Sequence, residues 1–183
     1  LTILAKAYLA KYKPKIVAVT GNTGKTSTKE QIAAVLKATG KRIRTSGGNL
    51  NNELGVPLAI LGDYAEEYYE KGGSVGFWLK VLFKAKIGLL FGLRYPEILV
   101  LEYGADRPGD IARLAKNFKP HVGVVTAIGE IPVHVEYFSD PDELAEEKSN
   151  LVKALGPTDF AVLNYDDPAV LAMKEKTGAK VET

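Results

Sequence analysis

The stretch that decides the fold is Ile16–Glu30, IVAVTGNTGKTSTKE. It opens with a short apolar run rich in valine and isoleucine, which is typical of a strand buried on both faces. The turn Gly21–Thr26 follows, and a helical pattern begins after it. Glycines allow successive backbone N–H groups to point at one anion, and the positive end of the helix dipole adds to the attraction. Strand, turn and helix together predict a phosphate-binding loop.

This loop is shorter than the common form of the motif. The general pattern G-x-x-x-x-G-K-[ST] places four residues between its glycines, whereas Gly21 and Gly24 are separated by only two. We predict that Lys25 reaches the outer phosphates of a nucleoside triphosphate and that the Thr26 hydroxyl binds the accompanying Mg²⁺. The alternative is an ordinary helix that follows a glycine turn and carries an exposed lysine.

Composition excludes several classes of protein. The 183 residues are 46% hydrophobic, which is enough for one good-sized core. With 24 basic and 22 acidic side chains the formal net charge is +2, which gives no argument for a nucleic-acid partner. The absence of cysteine excludes disulfides and cysteine–zinc sites, and two histidines are too few for a multi-histidine metal site.

The two ends of the chain also carry information. Lysines run through Leu1–Lys15 and no small-residue cleavage site is present, so this stretch does not resemble a signal peptide and a cytoplasmic location is expected. The chain begins without methionine and stops as a new strand begins near Val181. We therefore expect a piece of a longer protein.

Strands and helices alternate along the chain, and the strands are continuous apolar runs. Beyond the loop, the predicted strands are Lys41–Ser46, Glu97–Gly104, His121–Gly129 and Phe160–Asn164, and the predicted helices are Ser27–Thr39, Glu53–Leu61, Gly109–Phe118, Asp140–Leu155 and a last one from Asp167 to Gly178. This pattern predicts an α/β fold with a mostly parallel sheet and helices on both faces. Ligands bind such sheets at the carboxyl ends of the strands.

Residues 63–95 are the least regular region. Within them, residues 74–93 (SVGFWLKVLFKAKIGLLFGL) approach the length of a membrane span, but Lys80, Lys84 and Lys86 interrupt the run. The stretch predicts an amphipathic helix, which lies either on its own protein or on a membrane surface. We favour its own protein, because soluble domains commonly cover a sheet with such helices.

Two acidic or basic residues stand out beyond the loop. Glu102 ends an apolar strand where ligands collect, so its carboxylate is a candidate Mg²⁺ ligand, although a solvated glutamate at a strand end is the alternative. Lys148 falls on the apolar stripe of its helix, four residues after Leu144 and three before Leu151, whereas Glu146 and Glu147 fall to the side. A lysine that points inward would take part in the chemistry of the phosphate site. The alternative is a lysine whose aliphatic stem is buried while its ammonium reaches solvent.

Two further polar residues carry weaker signals. His134 lies in a loop, where an isolated histidine is more often an ordinary surface residue than a ligand. Asn164 follows a strand and precedes a helix, so it either helps to cap that helix or hydrogen-bonds a nucleobase.

Several segments in order resemble the central ATPase domain of the Mur ligases, the ATP-dependent amide-forming enzymes of peptidoglycan precursor synthesis. The similar segments are TGNTGKT, LEYGADRPGDI, VVTAIGEIPVHVEYF, ELAEEKSNL and AVLNYDDP. The stretch TSGGNLNNELGVPLAIL most resembles the branch of the family that adds D-alanyl-D-alanine. The resemblance covers nearly the whole chain and implies a P-loop NTPase-like fold.

The resemblance also implies roles for individual residues. The nucleotide would be held by Gly21, Asn22, Thr23, Gly24, Lys25, Thr26, Ser27, Asn51, Asn52 and Asn164, of which Asn164 would contact adenine. The Mg²⁺ ligands would be Thr26, Glu102, His134 and Lys148. The family has at the last of these positions a lysine that CO₂ converts to a carbamate, which is a metal-binding anion. Lys25, Lys148 and His134 would be the catalytic residues.

The resemblance implies a mechanism as well. ATP would phosphorylate the carboxylate of a UDP-muramoyl peptide, and the amine of D-Ala-D-Ala would attack the acyl phosphate. Residues 1–15 would then be a linker helix from a missing N-terminal domain, and residues 16–183 the ATP-binding domain with an insertion at about 63–95. A C-terminal domain would also be missing.

Two other functions remain open on the sequence. One is a sibling ligase with the same core, such as a folylpolyglutamate synthase, although the GGNLNN stretch speaks against it. The other is a nucleotide-binding module that turns nothing over in isolation.

Overall fold

The computed structural model describes residues 1–92, 94–129, 138 and 140–183. Six strands form one sheet in which every neighbouring pair is parallel. They are β1 Lys15–Thr20, β2 Ile43–Thr45, β3 Ile98–Glu102, β4 Val122–Val125, β5 Phe160–Leu163 and β6 Lys180–Glu182. The order across the sheet is β2-β3-β1-β4-β5-β6, which puts the strand before the glycine turn at the centre. The predicted fold class is confirmed.

Helices lie on both faces of this sheet. The described helices are α1 Thr2–Tyr12, α2 Lys25–Ala38, α3 Gly55–Leu61, α4 Ala65–Lys71, α5 Val75–Phe91, α6 Asp110–Asn117, α7 Pro141–Lys153 and α8 Pro168–Leu171. Alternate side chains of β1 point to opposite faces, as the pleat requires. Val17 and Val19 pack with Ala33 of α2, whereas Ile16 and Ala18 belong to the larger core beneath α1, α3, α6 and α7.

Three predicted elements are shorter than the sequence suggested. The strand predicted over His121–Gly129 ends at Val125, because the chain then turns to meet the loop after β1, where the Asn22 N–H donates to Ala127 O at 2.6 Å. Helix α7 ends at Lys153 rather than Leu155. The last helix is only four residues long and continues as a 3₁₀ helix over Ala172–Lys176.

The irregular region forms two helices, α4 and α5. The helix predicted within residues 74–93 is confirmed as α5, and the Ser74 side chain caps it by accepting a hydrogen bond from the Phe77 N–H. None of the described helices is long and apolar enough to cross a membrane.

Candidate functional site

The loop between β1 and α2 has the shape of an anion-binding turn. Gly21 and Gly24 adopt positive φ angles of 142° and 79°, and Gly24 is the N-cap of α2. The first hydrogen bond of the helix runs from the Thr28 N–H to Gly24 O. The N–H groups of the first helical turn have no intrahelical partner, so they can bind a phosphate.

Lys25 lies at the start of α2, where its ammonium folds back over the loop. Its Nζ donates to Asn22 O at 2.9 Å. Burial lowers the pKa of Lys25, and the nearby carboxylate of Glu102 opposes that shift. A partly desolvated cation held by a single carbonyl can exchange that partner for phosphate oxygens.

Thr26 and Glu102 meet where α2 begins and β3 ends. The Thr26 hydroxyl donates to Glu102 Oε2 at 2.9 Å. Adjacent oxygen ligands of an octahedral Mg²⁺, each 2.0–2.1 Å from the ion, lie about 2.9 Å apart. The spacing and the hard oxygen donors of this pair therefore fit Mg²⁺. In the described part of the chain no group of three or more His, Cys, Asp or Glu side chains could hold a metal, so this pair of oxygen donors would bind the ion together with ligands of other kinds, such as phosphate and water.

Glu102 is held in place by a chain of polar contacts from neighbouring elements. The Asn51 amide donates to Glu102 Oε1 at 3.1 Å, and the Glu102 N–H donates to Ser46 Oγ at 3.2 Å. The Ser46 carbonyl in turn accepts a hydrogen bond from the fully buried ammonium of Lys29. Asn51 therefore holds the carboxylate itself, whereas Ser46 and Lys29 fix the backbone from which it extends.

These residues line an open cavity of about 500 Å³ at the carboxyl ends of β1 and β3. Its walls are Asn22, Gly24, Lys25, Thr26, Ser27, Asn49, Asn51, Asn52, Glu102 and Asp106. Asn52 also has a structural role, because its Oδ1 accepts hydrogen bonds from the N–H groups of Leu54 and Gly55 at the start of α3.

Lys148 adjoins this cavity from α7. Its side chain is buried with the residue only 2% exposed, between Leu144 and Leu151 on the same face of the helix. It lines a small cavity of about 50 Å³ together with Asn22, Lys25, Asn51 and Asp106. Lys148 is therefore inward, and the snorkelling alternative does not apply. Burial lowers its pKa to about 8, and the charge of Lys25 acts in the same direction.

Asn164 lies on the other side of the loop, beyond β5. It contributes to a mainly apolar hollow of about 360 Å³ that includes Thr23, Thr28, Val124, Thr126 and Val162. The Asn164 Oδ1 accepts a hydrogen bond from the Asp166 N–H at 3.1 Å, while Asp167 caps α8 through the N–H groups of Ala169 and Val170. The helix cap therefore falls to Asp167, and Asn164 remains at the hollow. His134 lies outside the described residues.

Glu147 is the residue that sequence reasoning missed. The helical pattern places it to the side of the apolar stripe, but at that position it is buried at the contact between α7 and α6. Its two carboxylate oxygens accept from the N–H groups of Gly109 and Ile111, both at 2.7 Å. One signal was available: α6 has a glycine N-cap and hence needs an external acceptor for its first N–H groups.

The sequence profile of the Mur ligase middle domain matches residues 19–69 and 88–183, which is most of the chain. The chain belongs to the Mur ligase family. Residues 70–87 have no counterpart in the matched profile, and they hold most of α5.

Individual relatives point to one branch of the Mur ligases. The chain is 33% identical over 166 residues to the UDP-N-acetylmuramoyl-tripeptide–D-alanyl-D-alanine ligase of Mycobacterium leprae, with 91% of this chain and 26% of the relative covered. It is 31% identical over 165 residues to the enzyme of that name from Bacillus subtilis, covering 90% of the chain and 29% of the relative. This Mur ligase domain therefore spans about a quarter to a third of these relatives' length.

A solved relative shares both the fold and appreciable identity. The MurF ligase from Thermotoga maritima, determined in complex with ADP, superposes with a TM-score of 0.73 at 30% identity, covering 98% of this chain and 35% of that one. The MurF of Acinetobacter baumannii gives the same TM-score at 24% identity and supports the fold alone.

Gly21→Ala tests how the loop is held against β4 in this Mur ligase domain. The Cβ of an alanine would overlap Thr126 Oγ1 and lie 3.1 Å from Ala127 O, in a backbone conformation that alanine rarely adopts. We expect a loss of about 1–3 kcal/mol in the free energy of unfolding and weaker nucleotide binding, measured by urea denaturation and calorimetry. Gly40→Ala is the control, since Gly40 has φ 78° but open space around it. Equal losses in both variants would contradict the steric explanation.

Proposed function

We propose that this Mur ligase domain binds Mg-ATP and forms the ATP-binding core of a ligase that joins D-Ala-D-Ala to a UDP-muramoyl tripeptide. The observation that carries the proposal is the convergence of Lys25, Thr26 and Glu102 on one cavity beside the glycine turn. The named relatives support the choice of substrates, because two at 31–33% identity bear the name of the D-alanyl-D-alanine-adding enzyme.

The proposed reaction has two steps. The substrate carboxylate attacks the γ-phosphorus of ATP, the bond to the β–γ bridging oxygen breaks, and an acyl phosphate and ADP form. The amine of D-Ala-D-Ala then attacks the acyl carbon, loses a proton, and inorganic phosphate leaves with the C–O electron pair. Each step places negative charge on phosphate oxygens, which preorganised cations and N–H donors stabilise most.

The residues of the loop would divide this work. Lys25 would give up its bond to Asn22 O and donate to the outer phosphates, while the N–H groups at the start of α2 hold the remaining oxygens. Thr26 and Glu102 would hold Mg²⁺, which when bound neutralises charge on the phosphates. Asn51 would keep the Glu102 carboxylate oriented toward the ion, while Ser46 holds the Glu102 backbone N–H.

Two other residues would complete the site. Asn164, at the rim of the apolar hollow, would hydrogen-bond the adenine, with Val124 and Val162 against the ring. Lys148 would act as a carbamate. A buried ammonium at this position would be repelled by the nearby cation of Lys25, whereas a carbamate would offer anionic oxygens to Mg²⁺. His134 is proposed as a further ligand on family resemblance.

The test is product formation by the protein at its full encoded length. ATP, UDP-muramoyl tripeptide and D-Ala-D-Ala are supplied together, and ADP release and the ligated product are followed by coupled assay and mass spectrometry. We expect both, and neither when D-Ala-D-Ala or the tripeptide is omitted. A product only with a folate and glutamate would replace the proposal by the sibling ligase. If the protein binds ATP but releases ADP in none of the mixtures, it is a nucleotide-binding module without turnover.

A further inference from the structure

Helix α5 carries an apolar face that no described part of the chain covers. Val75, Leu79, Phe83 and Leu90 are 78%, 63%, 65% and 75% exposed. Their spacing of four, four and seven residues places them on one side of the helix, where the half-exposed Leu82 joins them. We call these five side chains the outer face of α5. An exposed apolar stripe of this length marks an interaction surface more often than an ordinary solvated one.

The opposite side of the same helix is firmly attached to the domain. Phe77, Val81, Ala85 and Gly88 are buried in the main core. From α1, the Tyr12 hydroxyl donates to Gly88 O at 2.6 Å. The outer face therefore stands on a fixed element, and its exposure does not result from a poorly packed helix.

The segment that carries the outer face has basic side chains and no acidic ones, although α4 beside it contains Glu66, Glu67 and Glu70. From Gly72 to Pro96 the sequence contains no Asp or Glu, but it contains Lys80, Lys84, Lys86 and Arg94. Helical spacing puts Lys86 within the apolar stripe, whereas Lys80 and Lys84 lie toward the boundary with the buried side of the helix. Lys80 is paired with Glu67 of α4 at 2.5 Å, whereas Lys84 and Lys86 form no ion pair among the described residues. An apolar stripe with long cationic side chains matches the boundary between acyl chains and anionic headgroups.

Other occupants fit this surface less well. A second copy related by a two-fold axis would bring the lysines of one outer face against those of the other, which is repulsive. Residues 70–87 lie between the two matched segments of the family profile, so the profile itself assigns no contact with another domain to this face.

We propose that the outer face of α5 docks this protein on a membrane surface rich in anionic lipids, with the helix lying in the plane of the interface. The sequence alone favoured packing on its own protein; the structure shows that the inner side does this and that the outer side is exposed. The inference is independent of the proposed ligase activity.

The test is sedimentation with vesicles of phosphatidylcholine alone or mixed equally with phosphatidylglycerol. We expect the protein to bind the anionic vesicles at least tenfold more tightly, with affinity falling as salt is raised. Leu79→Ser/Phe83→Ser keeps the charge unchanged and should lose at least tenfold. Lys84→Gln/Lys86→Gln should lose most of the preference for anionic vesicles. Val35→Ser is the matched control, because Val35 is 69% exposed on α2, and it should bind like the unaltered protein.

Three results would overturn the proposal. The first is that the protein does not sediment with anionic vesicles, and the second is that the Leu79→Ser/Phe83→Ser variant sediments as well as the unaltered protein. The third is that light scattering shows a dimer that this double variant dissociates. Circular dichroism and Mg-ATP binding of each variant check that the fold is kept. If the Leu79→Ser/Phe83→Ser variant does not fold, two measurements still test the proposal. They are the salt dependence of binding by the unaltered protein and the lipid preference of the Lys84→Gln/Lys86→Gln variant.

Discussion

Replacing Lys25 with alanine is expected to weaken Mg-ATP binding at least a hundredfold. In the proposed complex the Lys25 ammonium donates to oxygens of two phosphates, and hydrogen bonds to charged groups contribute about 1.5–3 kcal/mol each. Two such bonds correspond to a loss of roughly 10²–10⁴ in affinity. The fold should persist, because among the described residues the Lys25 ammonium donates to the loop carbonyl of Asn22 and to no core residue. Calorimetric titration with Mg-ATP measures the effect.

The same helix supplies a matched control. Lys37 is exposed in the last turn of α2, so Lys37→Ala removes the same charge from the same element at a distance from the loop. It should bind Mg-ATP like the unaltered protein. If Lys25→Ala bound as tightly as Lys37→Ala, the phosphate-binding role of the loop would be wrong, and the proposed function would lose the observation on which it rests.

Local sequence patterns predicted the central parts of the site because those parts depend on local geometry. The glycine turn works through positive φ angles and a helix start, both of which are properties of a few consecutive residues. Glu102 could be placed at the cavity because the carboxyl ends of parallel strands share one edge of the sheet. The inward position of Lys148 followed from counting residues along one helix.

What the sequence did not predict depends on contacts between distant segments. Lys29 of α2 donates a hydrogen bond to Ser46, which follows β2, and Ser46 in turn accepts one from Glu102 of β3. These three residues are far apart in the sequence, so no spacing along the chain predicts their contacts. The burial of Glu147 was missed for a related reason. Its position on α7 is at the margin of the apolar stripe, and only the approach of the start of α6 buries it.

The length of β4 was also misjudged because of a tertiary contact. The run from Val122 to Ile128 is apolar throughout, which is consistent with a longer strand. Beyond Val125 the backbone serves other partners: Ala127 O accepts from the Asn22 N–H, and the Ile128 N–H donates to Asp167. The strand therefore ends at Val125, because the backbone groups after it bind the glycine turn and Asp167 instead of a neighbouring strand.

The second large effect is expected at Lys148. Lys148→Ala in the protein at its full encoded length should reduce ligation about 10²–10³-fold, as removal of a stabilising group at a reacting centre typically does. If the residue acts as a carbamate, acetate should partly restore the rate, because a carboxylate can occupy the space left by the anionic end of the side chain. Methylammonium should not. Incubation with ¹³C-bicarbonate should give a carbamate signal in the NMR spectrum that is lost in Lys148→Ala.

Stability gives a test of Lys148 that is independent of activity. Burial lowers its pKa from 10.5 to about 8, so the folded protein binds fewer protons than the unfolded chain between these values. In CO₂-free buffer the free energy of unfolding should therefore contain a contribution that rises with pH from about 8 to 10.5. Below pH 8 the buried amine costs on the order of 3 kcal/mol, given about 1.4 kcal/mol per pKa unit.

Lys148→Met removes that cost while it keeps the length and apolar contacts of the side chain. We expect the variant to be more stable than the unaltered protein at pH 7, to lack the alkaline rise, and to be inactive in ligation. Denaturant unfolding at pH 7 and pH 10 measures this, with Lys153→Met on the same helix as the control. Loss of stability in Lys148→Met, or rescue of Lys148→Ala by methylammonium instead of acetate, would assign the residue as a needed cation. A Lys148→Met variant that is more stable but inactive would indicate that the buried lysine acts after a chemical change that makes it an anion.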